Sequence, residues 1–224
     1  MRSERSERSP VLRQAQHGSK HGEQSRTKRP KEAEERSPVL RQAQHGSKHG
    51  EQSRTKRPKE AEGRSEGYKV AVLTISDKCS RGQREDKSGA VVQELLKQFP
   101  WEVVKYEIIP DEPDMIKERL IYYSDNLKVD LVLTNGGTGF TKRDLTPEAT
   151  REVIERDVPG IPEAMRVECL KITKRAMLSR AIAGIRGRTL IINLPGSTKG
   201  AKESLEAILD TLPHGLDMIL EKEH

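Results

Sequence analysis

Before Tyr68 the chain contains no phenylalanine, tyrosine or tryptophan, and across all 224 residues such rings make up only 3%. The same stretch has few aliphatic residues, and these follow no helical or strand period. Such a segment cannot bury enough apolar surface to offset the entropy of ordering it. Residues 1–66 therefore read as a disordered tail. Cysteine is nearly absent: Cys79 and Cys169 are the only two, with no CxxC, which excludes a disulfide scaffold. Reduced thiols in a cytoplasmic protein are the expectation, and nothing beside Cys79 marks it as a nucleophile. No apolar core of a secretory signal is present, and no run approaches the roughly 20 apolar residues of a membrane helix.

The tail is also repetitive. Residues 7–34, "ERSPVLRQAQHGSKHGEQSRTKRPKEAE", recur letter for letter at 35–62. Two polar copies do not make a stacked repeat fold, in which each unit buries a hydrophobic face. Perfect identity points to a recent duplication, and the segment reads as a translated intergenic repeat. Through residue 62 there are 16 Lys/Arg and 9 Asp/Glu; the remainder holds 25 and 26. The basic balance thus belongs to the tail, and nucleic-acid binding, weighed as one alternative, would have to use it. The pairs His17/His21 and His45/His49 have helical metal-ligand spacing, but the intervening "GSK" argues against a helix. "SRTKRPK" reads as a solvated charge run.

From Gly67 to His224 the texture changes. Near-continuous apolar runs at 68–76, 129–134 and 188–194, and an alternating one at 101–109, read as strands. Helical spacing appears at 88–99 and 111–126. Thr146 is expected to cap a helix with Pro147 in its first position. Another helix runs from near Pro162 to Lys174, and a closing one over 200–220, broken at Pro213. Alternation of this kind with buried strands predicts a single α/β domain, a doubly wound, mostly parallel sheet flanked by helices.

Such sheets bind ligands at the carboxyl ends of their strands. There the sequence puts Ser76 and Asp77 in "TISD", Asp111 in "IIPDE", "NGGTGFTKRD" at 135–144, and "PGSTKG" at 195–200. Neither GxxxxGK[ST] nor GxGxxG occurs, so the familiar phosphate loops are absent. Yet Gly136, Gly137 and Gly139 let backbone N–H groups approach an anion, with the Thr138 hydroxyl as a further donor. The bland alternative is a tight turn. Asp111 and Asp144 near phosphates imply a bridging Mg²⁺; their structural alternatives are a helix cap for Asp111 and a surface partner of Arg143 for Asp144.

With "TISD", "DKSG", "IIPDE", "TNGGTGFTKRDLTPEA", "PGIPEAMR", "MLSRAIAGIRGRTLIINLPGS" and "PHGLDMI", the domain resembles the MogA/MoaB family of molybdenum-cofactor biosynthesis. It is similar also to the N-terminal domain of gephyrin. The resemblance covers Tyr68 to about Leu220. It implies a cytoplasmic homotrimer that adenylylates molybdopterin with ATP and Mg²⁺, and a molybdate-insertion enzyme as a further partner. It assigns catalysis and metal binding to Asp111 and Asp144. Substrate contacts fall on Ser76, Asp77, Gly136, Gly137, Thr138, Gly139, Pro195, Gly196 and Ser197. A non-catalytic molybdopterin-binding paralogue of the same fold is the alternative.

Overall fold

The computed structural model describes residues 67–221. The expected disordered tail, its histidine pairs and its basic stretch lie outside the described residues, as does His224. Among the described residues no helix is long and apolar enough to cross a membrane.

Six strands form one sheet in the order β2-β1-β3-β6-β5-β4. They are β1 (Lys69–Ile75), β2 (Glu102–Ile109), β3 (Leu131–Asn135), β4 (Arg156–Asp157), β5 (Ala183–Arg186) and β6 (Thr189–Leu194). The β2, β1, β3 and β6 ladders are parallel. β5 and β4 add antiparallel pairs at one edge.

Side chains of β1, β3 and β6 alternate between two cores. Val70, Val72, Leu131, Leu133, Leu190 and Ile192 face one cluster, which also holds Val92 and Leu96 of α2 (Lys87–Leu96), Met165 of α5 (Gly160–Leu170), Leu205 of α6 (Thr198–Glu206) and Leu216 of α7 (Leu212–Ile219). Ala71, Leu73, Ile75, Val132 and Ile191 face the other, with Ile116 and Leu120 of α3 (Pro113–Ile121) and Val153 of α4 (Thr146–Val153). A strand that alternates between two dry faces must be largely apolar, and the buried polar residues that these strands do carry, Thr74, Thr134, Asn135, Thr189 and Asn193, lie toward their ends. Burying each large aliphatic side chain contributes about 1.5–3 kcal/mol.

Several helix ends differ from the sequence expectation. Leu145 occupies the cap position of α4, and Thr146 is already helical. The Thr146 hydroxyl lies against Gly137 and is buried without a hydrogen-bond partner, so it does not reach back to a free helix N–H. The segment after Ile121 continues as a π-helical turn, Tyr122–Asn126, around the buried Tyr123. Beyond α5 the chain forms a 3-10 turn, Lys174–Leu178, instead of more α-helix. The closing helix divides upstream of Pro213, which sits in the first turn of α7, where its missing N–H is no loss.

The start of α2 is built on Asp86. Its carboxylate accepts hydrogen bonds from Ser88 N (3.1 Å), Gly89 N (2.9 Å), Ser88 Oγ (2.8 Å), Tyr106 OH (2.7 Å) and Thr74 Oγ1. Ser88 Oγ in turn accepts from Asn135 Nδ2 at 2.8 Å, and Thr74 Oγ1, whose one proton goes to Asp86, lies 3.1 Å from Asn135 Oδ1. The network thus fixes the last residue of β3. Burial pushes the Asp86 carboxyl up, but these donors outweigh it and hold it below the ordinary value of 3.8. A depressed carboxyl gives stability that is present above its unfolded value and lost as pH falls through its folded one. We therefore expect Asp86→Ala to cost roughly 2–3 kcal/mol, from the lost cap and the orphaned donors. The deficit should be full at neutral pH and shrink below about pH 4. Denaturant melts at the two pH values check this.

Candidate active site

The chain leaves β1 toward β2 on one side and later returns to place β3 on the other. That reversal opens a crevice at the carboxyl ends of β1 and β3. Four loops meet there. Ser76 and Asp77 follow β1, and Ser76 caps the short helix α1 (Asp77–Ser80), accepting from Cys79 N. Pro110 and Asp111 follow β2. Residues 136–145 follow β3, and Pro195–Ser197 follow β6.

The glycine loop combines positive φ with close backbone approach. Gly136 and Gly137 have φ of +114° and +63°. A Cβ on Gly136 would stand 2.1 Å from the Ile75 carbonyl oxygen, and one on Gly137 would stand 2.2 Å from Thr146 Oγ1. Gly136 N bonds Leu194 O at 3.2 Å, and a Cβ on Gly196 would lie 3.0 Å from Gly136 Cα. The β3 and β6 loops therefore touch through glycines. Among the described residues the backbone N–H groups of Gly137, Thr138 and Gly139 donate no hydrogen bond, and neither do those of Gly196 and Ser197. Ser197 caps α6 by accepting from Gly200 N at 3.1 Å.

Two carboxylates border this backbone. Asp111 Oδ1 lies 3.5 Å from the Gly137 Cβ direction, and Asp144 Oδ2 lies 3.0 Å from that of Gly139. Asp111 is not the cap of α3; that position is Glu112. Instead Asp111 Oδ2 accepts from Asp77 N at 2.7 Å. Asp144 is not the partner of Arg143; its Oδ2 accepts from Thr141 N at 2.7 Å. Arg143 reaches away, to Asp77 (3.0 Å) and Glu112 (2.8 Å). Burial, with the neighbouring charges of Asp77 and Asp144, pushes the Asp111 carboxyl up, against the Asp77 N–H and Arg143. The Arg143 hydrogen bond holds Asp77 low. The Asp144 charge is felt at Asp111, and a cation placed between such like charges would relieve their repulsion. Among the described residues no group of three or more His, Cys, Asp or Glu side chains forms a metal cluster.

A cavity of about 340 Å³ opens beside the loop. Gly137, Thr138, Gly139, Asp144, Pro195, Gly196 and Ser197 line one end. Ser76, Asp77 and Asp111 do not line it; Asp77 and Asp111 are instead joined to each other by the bond from Asp77 N to Asp111 Oδ2. The far wall was missed by sequence reasoning. It is made of Met165, Arg166 and Cys169 of α5, Thr173, Arg175 and Leu178 around the 3-10 turn, and Glu203 and Ser204 of α6. Only the juxtaposition of separate helices brings these residues together. Cys169 is buried, 3.6 Å from Ser204 Oγ, and Cys79 is likewise a buried free thiol.

Residues 71–214 match the family model described as "Probable molybdopterin binding domain". A molybdopterin adenylyltransferase of Helicobacter pylori strain J99 is 46% identical over 153 residues, covering 67% of this chain and 87% of that protein. Gephyrin of Dictyostelium discoideum is 44% identical over 167 residues, 70% of this chain and 23% of gephyrin. Among solved structures, the molybdopterin biosynthesis enzyme MoaB of Thermus thermophilus aligns with a TM-score of 0.67 and 54% identity, covering 69% of this chain and 98% of that one.

Proposed function

The chain belongs to the molybdopterin-binding domain family that includes MoaB and MogA, and from that premise we propose that it is a molybdopterin adenylyltransferase. Its reaction joins a terminal phosphate oxygen of molybdopterin to the α-phosphorus of ATP. The bond from that phosphorus to the bridging oxygen breaks, and pyrophosphate leaves. The observation that carries this reading is the pair of glycine loops, with five unengaged backbone N–H groups, opening beside Asp111 and Asp144.

Attacker and target are both anionic, so catalysis rests on positioning and charge neutralisation. The N–H groups of Gly137 to Gly139 and of Gly196 and Ser197 hold phosphate oxygens and meet the charge that develops on them. The Thr138 hydroxyl adds a donor, and Ser76 and Asp77 border the nucleotide from the β1 side. The two carboxylates fit Mg²⁺ of the kind that arrives with nucleotide phosphates, since such a cation takes one or two carboxylates and keeps water and phosphate for the rest. Asp111 and Asp144 would hold it; when bound it offsets charge on the transferred phosphoryl group. No nucleophilic side chain is required.

Incubation with molybdopterin and Mg-ATP labelled at the α-phosphate tests the reading. Label is expected on the pterin; its absence with retained pterin binding would make this a non-catalytic paralogue. We further propose a homotrimer formed by residues 67–221. The exposed side chains of Phe140, Val167, Ile172 and Met177 (69, 57, 54 and 59% accessible) support self-association. Light scattering should give three subunits both for the full chain and for a version starting at Gly67.

A further inference from the structure

We propose that Arg180 is a positioning residue that sets Asp144 and the glycine loop; this rests on the adenylyl-transfer reading for its catalytic consequence. Arg180 lies in the irregular segment between the 3-10 turn and β5. It grips the β3 loop from outside at three backbone points. Its own N–H donates to Thr138 O at 3.0 Å, its Nε donates to Gly139 O at 2.7 Å, and its Nη2 donates to Asp144 O. Nη1 pairs with Glu148 in the first turn of α4.

The grip has a specific target. Gly139 and Asp144 are the two ends of an excursion through Phe140, Thr141, Lys142 and Arg143, none of them in a helix or strand and all exposed. Tying both ends to one planar group fixes their separation. The Asp144 carboxylate then closes back on Thr141 N, so its direction depends on the same span. The guanidinium fork is required, because a lysine ammonium on a flexible stem cannot hold two carbonyls and a carboxylate in one plane. Arg180 touches no proposed reacting atom and lines no part of the cavity; it acts through Asp144.

The test uses the full chain with Arg180→Lys and Arg180→Gln, read by amide hydrogen exchange and by Mg²⁺-dependent turnover. The expected result has two parts. Exchange at Thr141 rises at least tenfold while amides of Leu133 and Ile191 keep their protection. Turnover at saturating ATP falls at least tenfold, with a higher half-saturating Mg²⁺ concentration and an ATP KM within about threefold of the parent. If Thr141 and turnover are both unchanged, the proposal is overturned. If protection falls throughout the sheet in both variants, Arg180 is only a structural prop and the proposal is overturned equally. If the parent itself transfers no adenylyl group, the functional reading fails, while Thr141 exchange still decides whether Arg180 sets the loop.

Discussion

Asp144→Ala is expected to reduce adenylyl transfer by about a hundredfold or more while leaving the fold in place. The carboxylate lies on a turn, outside both apolar clusters. Its only described hydrogen bond is the one accepted from Thr141 N, so its removal costs about 1 kcal/mol of stability. Its proposed contact with a phosphate-bound cation is made at the reacting centre, where a lost charge contact costs several kcal/mol. Single-turnover transfer of α-label separates chemistry from product release. A variant that retains a third of parental turnover would remove Asp144 from the mechanism. Asp111→Ala should lower turnover comparably, and like Asp144→Ala it leaves one backbone N–H, here that of Asp77, without its acceptor.

Gly136→Ala is expected to damage the fold itself. The added methyl would meet the Ile75 carbonyl oxygen at 2.1 Å, and φ of +114° is foreign to a side-chain-bearing residue. Ile75 O belongs to the end of β1, so relief requires β1 and β3 to part where the crevice opens. Strain and displacement together should cost roughly 3 kcal/mol or more, a fall in melting temperature of about 10 °C for a domain of this size. Gly82→Ala is the control: its φ of +69° is also strained, but nothing lies within 4 Å of the added atom. There the loss should stay at about 1–2 kcal/mol. Equal melting of the two variants would show that the glycine loop yields easily, against its reading as a rigid cradle.

The sequence was most readable where a physical demand acts on consecutive residues. β1, β3 and β6 are dry on both faces, so their composition declares them. β4 and β5 were not legible: β4 is two exposed residues, Arg156 and Asp157, and β5 contains Gly184, packed beside Ile154. β4 owes its strand character to antiparallel pairing with the distant β5, and β5 owes its own to pairing with β4 and, across the turn Gly187–Arg188, with β6. The loop residues were legible as chemistry because glycines, hydroxyls and aspartates followed strand ends. Arg180 was not, since an arginine in an irregular stretch looks the same whether solvated or clamped on three carbonyls. Thr146 was read as a cap because caps are usually threonine or its kin; the closeness of Gly137, which shuts its hydroxyl in, is a tertiary fact.

The parallel pairing of β1 with β3, and of β3 with β6, has a consequence for how the chain acquires its shape. Val70 aligns with Leu131, and Leu131 with Leu190, so each central ladder closes a loop of dozens of residues before any contact offsets that entropy. During synthesis, β1 and β2 emerge without β6, and the Leu194 carbonyl that receives Gly136 N does not yet exist. The proposed phosphate cradle therefore arises only when the last central strand docks. Nucleotide bound there would stabilise the finished domain by mass action alone and do nothing for its precursors. A chain ending before Thr189 should bind no nucleotide at all, whereas refolding of the whole domain should regain binding in the slowest phase, together with protection of β6.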